Sequence, residues 1–197
     1  MRTSREAAAR TREKIIEIAG QLFIRKGFST IGIAEVMKAA GLTHGGFYGH
    51  FGSKAELIHE AVTKLFESCA ARWRELIRSS PKAPAEAILA DYFSAEEGIP
   101  SASRCILTSL SQEVGLMADA LVRSVFSAGV EALVGVLEEA IHEHDEKDRR
   151  HVALAMLSSM IGAVTLARAV DDGSLAGDLI AATSEQLAFR RRGTETS

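Results

Sequence analysis

Between Gly41 and Leu57 the chain reads GLTHGGFYGHFGSKAEL. Phe47 and Phe51 lie four apart and would face a core together on a short helix. Tyr48 and His50 would leave that core from the other side, with Thr43 and His44 at the helix entry and Lys54 just past its end. Gly41 ends a preceding helix, Thr43 can cap the next, and Ser53 with Glu56 forms an S-x-x-E capping box for a further helix. A short helix with two buried aromatics and an outward Tyr, His and Lys has the makings of a reading head for nucleic acid.

Other chemistries fare less well. His142, Glu143, His144, Asp145 and Glu146 crowd together, but no apolar frame or second ligand cluster accompanies them, so they read as a solvated interhelical turn and no metal site is expected. A Ser-His-Asp hydrolase would need a G-x-S-x-G elbow and the strands that present it. Neither is evident, so no catalytic residues, no cofactor and no enzyme activity are expected. Cys105 sits in the first turn of a predicted helix beside Arg104, where a positive helix end and a cation both favour thiolate. Cys69 lies mid-helix on an apolar stripe. Two cysteines make no disulfide framework, and both should be reduced.

The 197 residues are 47% apolar, enough for one or two domains with sizeable cores. The longest uncharged stretch in the apolar C-terminal half, Val152–Ala167, is sixteen residues; a bilayer span needs about 20. With no apolar signal core at the N-terminus, a cytoplasmic protein without a membrane partner is expected. The net charge of −3 hides an asymmetry. Residues 1–54 carry nine bases (Arg2, Arg5, Arg10, Arg12, Lys14, Arg25, Lys26, Lys38, Lys54) against Glu6, Glu13, Glu17 and Glu35, a segment of +5 on a body of −8. A basic head on an acidic body is what phosphate binding at one end requires.

The elements that position these residues are all helical; no strand-length alternation occurs. Ile15, Ile18, Ala19, Leu22 and Phe23 mark a helix over about 6–26, stopped by Gly27. A second runs from about Ile33 to Ala40. Gly41-Leu42-Thr43 is a turn, and a third helix spans about His44–Phe51. The fourth runs from the capping box to about Arg78, ended by Pro81-Lys82-Ala83-Pro84. Five more follow: about Ala85–Glu97, Ser101 or Ser103 to Met117, Asp119–Glu143, Arg149–Val170, and a last one capped by Ser174 and ending in Arg190-Arg191-Arg192. Val152–Ala167 is apolar on nearly every face, as a helix covered on both sides would be. Burial against a second subunit accounts for this, as does full burial inside one monomer. Trp73, Phe93, Met117, Phe126, Met156 and Met160 are core candidates that could together line an adaptable apolar pocket with Cys105.

Helices two and three, joined by a tight glycine turn, form a helix-turn-helix candidate; an ordinary helical hairpin has the same spacing. In AAGLTHGGFYGHFGSKAEL, and more broadly from Ile15 to Leu57, the chain resembles the TetR family of bacterial transcriptional regulators. The resemblance implies an all-α chain of about nine helices. A three-helix DNA-binding domain (residues 1–52) would precede a larger ligand-binding and dimerisation domain (53–197), with the helix over 53–79 connecting them. It implies a homodimeric repressor released from a palindromic operator by a small apolar or amphipathic effector. Its partners would be double-stranded DNA, the effector and a second copy of itself. Thr43, His44, Gly45, Gly46, Tyr48 and His50 would then belong to the recognition helix and its entry, and Lys54 would approach a phosphate. Two departures stand out. Ile31 and Gly32 replace the Thr or Ser pair common before helix two, and three glycines (Gly45, Gly46, Gly49) weaken the reading helix, leaving direct readout mainly to His44 and Tyr48. The context SRCILTSLSQEV also resembles a branch of the family with a Cys at this site, some of whose members sense electrophiles. A thiol-based repressor acting through Cys105, a ligand-independent architectural DNA binder and a helical small-molecule-binding protein without a DNA role are the alternatives.

Overall fold

The computed structural model describes residues 2–96, 99–100, 105–141 and 146–192, and the fold is all-helical. The α-helices are α1 (Arg2–Lys26), α2 (Ile33–Ala39), α3 (Lys54–Ser79), α4 (Pro84–Phe93), α5 (Ile106–Leu116), α6 (Ala120–Ala140), α7 (Glu146–Ala169) and α8 (Gly173–Arg192). A 3-10 helix, His44–Gly49, stands between α2 and α3. The one non-helical pairing among the described residues is an antiparallel pair of two-residue strands, Ala95↔Pro100 and Glu96↔Ile99.

Helix ends follow local chemistry. Gly27, at φ +82, closes α1, and its N–H meets the Phe23 carbonyl at 2.8 Å. Gly41, at φ +74, closes α2 with two reversed bonds, Gly41 N to Lys38 O at 3.0 Å and Leu42 N to Met37 O at 2.8 Å. That pair is a Schellman motif, which needs the left-handed residue glycine supplies. Thr43 stands at the expected cap position, but its hydroxyl makes no capping bond. The expected α-helix over 44–51 is instead a 3-10 helix ending at Gly49. Three glycines in six residues give poor α propensity, and packing by the aromatic at its centre takes over. The capping box at α3 forms with a shift. Ser53 Oγ accepts from Glu56 N at 3.1 Å, while the Glu56 carboxylate accepts from Gly52 N, at 2.7 Å, and not from Ser53. At α8 the expected Ser174 cap is replaced by Asp172, whose Oδ1 takes Ser174 N at 2.8 Å and Leu175 N at 3.3 Å. The start expected at Ser101 or Ser103, and most of the turn at 142–148, lie outside the described residues.

The chain divides into two compact units, Met1–Ser68 with Ser109–Val130, and Cys69–Thr108 with Glu131–Ser197. In the first, Ile15, Phe23, Phe28, Ile31, Met37, Phe47, Phe51 and Leu57 are almost completely buried. Phe66 meets Phe126 edge-on at 5.2 Å, and a Cβ at Gly129 would overlap the Phe66 ring, so α6 approaches α3 there as only glycine allows. In the second, Trp73, Ile88, Leu110's helix neighbour Leu107, Leu133, Leu137, Met156 and Met160 are buried, and Trp73 meets Tyr92 edge-on at 6.4 Å. Two stretches, Ala120–Ala140 and Asp148–Ala169, are long and apolar enough by composition to cross a bilayer, contrary to the expectation that no run reaches that length. Each is also a core helix: Leu133, Val134 and Leu137 on one, Met156, Met160 and Val164 on the other, are buried.

Candidate nucleic-acid interface

The reading edge is built on two stacked rings. Phe47 and Phe51 lie 5.4 Å apart, nearly parallel, and both are buried. Burying a phenylalanine contributes about 1.5–3 kcal/mol, which anchors a helix that its glycines would otherwise leave unstable. On the outer side Tyr48 is 64% exposed, packing edge-on against Phe47 at 5.3 Å and His44 at 6.3 Å. Thr43, His44, Gly45, Gly46 and Gly49 are exposed, and His50 is half-buried. A Cβ at Gly45 or Gly49 would meet nothing within 4 Å, whereas one at Gly46 would meet Thr43 Oγ1 at 3.6 Å and the Met37 methyl at 3.7 Å. The bare backbone of this helix is therefore at Gly45 and Gly49. Gly46 turns toward α2.

Arg12 secures the end of the reading helix from α1. Its Nε donates to the His50 carbonyl at 3.3 Å, its guanidinium lies 4.6 Å from the Phe51 ring centre, and it pairs with Glu60 and Glu56. A guanidinium satisfies several partners at once because its donors form a planar fork. The basic head is thus only partly available to phosphate: Arg12 is committed inside the unit, and Lys26 pairs with Glu35 at 2.8 Å. Arg10, Lys14, Arg25 and Lys38 are exposed.

Lys54, expected at a phosphate, has an internal bond: its Nζ donates to the Phe28 carbonyl at 2.6 Å. An ammonium has three donors, so this bond leaves capacity for a phosphate. The same turn is held from its other side by Glu113 of α5. The Glu113 carboxylate accepts from Phe28 N and Ser29 N, each at 2.7 Å, and from the Ser29 hydroxyl. Burial alone would raise this carboxyl; the Ser29 hydroxyl, the N–H groups of Ser29 and Phe28, and Lys54 hold it below the ordinary carboxylate range. A Cβ at Gly27 would come within 2.7 Å of Glu113 Oε2. Beside the turn lies an open groove of about 440 Å³ lined by Phe28, Ser29, Lys54, Ile58, Glu113, Met117 and Asp119, among others. Glu113 is the site residue the sequence did not reveal.

The candidate ligand-pocket residues divide between the units. Met117 lines the groove just described and Phe126 packs on Phe66, both in the first unit. Trp73, Cys105, Met156 and Met160 are buried, and Phe93 half-buried, in the second. The expectation of an acidic Cys105 thiol is reversed. Burial pushes it up, outweighing the N–H groups of Leu107 and Thr108 and the Tyr92 hydroxyl, which favour thiolate. Burial likewise pushes up Cys69 and Tyr92. The neighbouring Arg104 is outside the described residues.

A helix, a Schellman turn and a second short helix with an exposed aromatic edge define a helix-turn-helix head, and the comparisons agree. Residues 15–61 match the family model for bacterial regulatory proteins, tetR family. The regulator TtgR of Pseudomonas putida is 37% identical over 68 residues, which cover 34% of this chain and 32% of that protein. The chain therefore aligns with about a third of the length of this relative. The repressor NemR of Escherichia coli is 27% identical over 141 residues, 69% of each chain. The crystal structure of E. coli NemR in its reduced form superposes with a TM-score of 0.75 at 22% identity, covering 90% of this chain and 94% of that one. A regulator of the TetR/AcrR family gives 0.73 at 20% identity, over 91% and 99%. Over residues 15–61 the chain carries the segment typical of bacterial regulatory proteins of the tetR family, and its overall fold is that of the solved TetR/AcrR regulators.

Proposed function

We propose that this protein is a cytoplasmic homodimeric repressor that binds a palindromic operator and is released by a small apolar or amphipathic effector. The observation that carries the reading is the exposed edge of the reading helix, where Tyr48 and His44 stand clear beside the bare backbone of Gly45 and Gly49 on a buried aromatic pair. Thr43, His44, Gly45, Tyr48, His50 and Lys54 form the DNA-contacting set, with His44 and Tyr48 reading base edges and Lys54 sharing its ammonium with a phosphate, while Gly46, expected in this set, faces α2. Residues 1–52 serve as the DNA-binding domain and 53–197 as the effector and dimerisation domain. The support for a dimer is on α7 and α8. Met156, Met160 and Val164 are buried, while Leu154, Leu166 and Leu175 are exposed, an apolar outer face that a second copy would cover. Binding of the effector releases DNA by favouring a dimer geometry that fits the operator poorly.

The test is a gel shift with the DNA flanking the protein's own coding region, with and without a panel of small apolar ligands, alongside light scattering. A specific complex, released by at least one ligand, and a dimer at micromolar concentration are expected. A monomer that binds all DNA alike would overturn the reading. Tyr48→Ala should weaken operator binding more than binding to random DNA.

A further inference from the structure

The turn between α1 and α2 carries two consecutive backbone N–H groups, at Phe28 and Ser29, that no helix satisfies, and a carbonyl at Phe28 on the other side. Neither α1 nor α2 closes this turn. Glu113 takes both N–H groups, and Lys54 takes the carbonyl. Two charge-assisted bonds from one carboxylate to adjacent amides fix the plane of the peptide between them, and each such bond is roughly twice as strong as a neutral one. With the turn fixed, so is the point from which α2 departs, and α2 carries the reading helix through the Schellman turn at Gly41. The local sequence adds little restraint of its own: Gly27 is left-handed, and Gly32 opens α2 with no side-chain cap.

We propose that Glu113 is a positioning residue for operator reading, acting with Lys54 as a two-sided clamp on the α1–α2 turn. The inference rests on the DNA-reading assignment above. Glu113 itself sits in the last turn of α5, beside the groove, and is not part of the reading edge; its effect on DNA passes through the backbone it holds. The clamp thereby makes the register of the reading helix depend on α5, an element outside the helix-turn-helix.

The experiment uses the full chain and the variants Glu113→Ala, Glu113→Gln and Ser29→Ala. Amide hydrogen exchange at Phe28 and Ser29 is read together with affinity for the operator and for random DNA at two salt concentrations. Glu113→Ala should exchange both amides at least about tenfold faster. Its operator affinity should fall at least about tenfold, while random DNA stays within about twofold and the salt slope is unchanged, because no phosphate contact is lost. Glu113→Gln, which keeps one acceptor oxygen, should fall between Ala and wild type. Ser29→Ala, which removes only the hydroxyl bond, should fold even if Glu113→Ala does not, and should show the smallest loss in the same direction. Unchanged exchange in both Glu113→Gln and Ser29→Ala would overturn the clamp. Faster exchange with an unchanged operator-to-random ratio would overturn the positioning role. A wild-type protein without sequence preference, whose turn amides still respond to Glu113, would locate the failure in the DNA-reading assignment and remove the positioning role with it.

Discussion

The charged residues of the two units do different work. In the first, side-chain pairs such as Lys26–Glu35 are accompanied by charges that hold backbone: Arg12 the His50 carbonyl, Lys54 the Phe28 carbonyl, Glu113 the N–H groups of Phe28 and Ser29, and Glu56 that of Gly52. In the second, Arg72 pairs with the half-buried Asp91, and Arg74–Glu139 and Arg150–Glu131 join side chain to side chain on exposed ground, where an ion pair contributes about 0–1 kcal/mol. A surface that reads a rigid duplex needs its backbone at fixed places, and charge is used there to hold peptide groups. The second unit is held by the shape of its apolar interior, with methionines at Met156 and Met160 that adapt to what they contact.

The comparison is sharpest in the cores. Phe47→Ala should cost about 3–5 kcal/mol in denaturant unfolding, since Phe47 is fully buried under the reading edge. Met160→Leu, equally buried in the second unit, should cost less than about 1.5 kcal/mol. Equal losses would erase the distinction between a specified head and an adaptable body.

Next come the glycines. Gly129→Ala should destabilise by about 1–3 kcal/mol, because the new methyl overlaps the Phe66 ring. Gly46→Ala meets only ordinary contacts, at 3.6 and 3.7 Å, and should be neutral or stabilising by up to about 1 kcal/mol. Since its methyl would turn toward α2, operator affinity should hold, whereas Gly45→Ala should lower it. Thermal melts and operator titrations of the three variants decide this.

Acid should loosen the clamp. Glu113 is held below its ordinary range in the folded protein, so its contribution is full above that range and is lost as pH falls through its folded value. Its charged neighbours there are Lys54 and, across the groove, Asp119. Wild type should therefore melt roughly 2–4 °C above Glu113→Gln at neutral pH, a gap that closes as the solution is acidified below the ordinary carboxylate range. A gap independent of pH would mean that the carboxylate charge is irrelevant to the turn.

The smallest effect is expected at Cys105. A buried, protonated thiol should react slowly with a small electrophile, and both cysteines should label at least about tenfold faster in denaturant, measured by mass spectrometry. Rapid labelling of Cys105 in the native protein would favour the thiol-responsive alternative.

Much of the first unit was legible because its signals are local. Gly27 and Gly41 mark helix ends, Phe47 and Phe51 repeat at helical spacing, and Ser53 with Glu56 announces α3. The 3-10 geometry of the reading helix was foreshadowed by its glycines, although the α period of its aromatics pointed elsewhere. Glu113 carried no signal at all: its partner Ser29 is 84 positions away, and a lone glutamate on a predicted helix resembles any solvated side chain. Cys105 misled for a related reason. A helix start and an adjacent arginine are visible in sequence, but burial, which dominates the thiol, is a property of the packed chain. Asp172 and Ser174 are both good caps, and only the backbone path chooses between them.

Gly27 has two constraints with separate origins. Its φ of +82 asks for glycine or, at some cost, asparagine, and the nearby Glu113 oxygen excludes any Cβ that does not displace it. The two positions therefore limit each other's drift. An asparagine at position 27 meets the backbone demand but must push the Glu113 carboxylate off the turn, while shortening Glu113 to aspartate opens that space at the same expense to the clamp. The costs of the two changes are therefore not additive: once Glu113 is shortened, Gly27→Asn adds only its backbone cost.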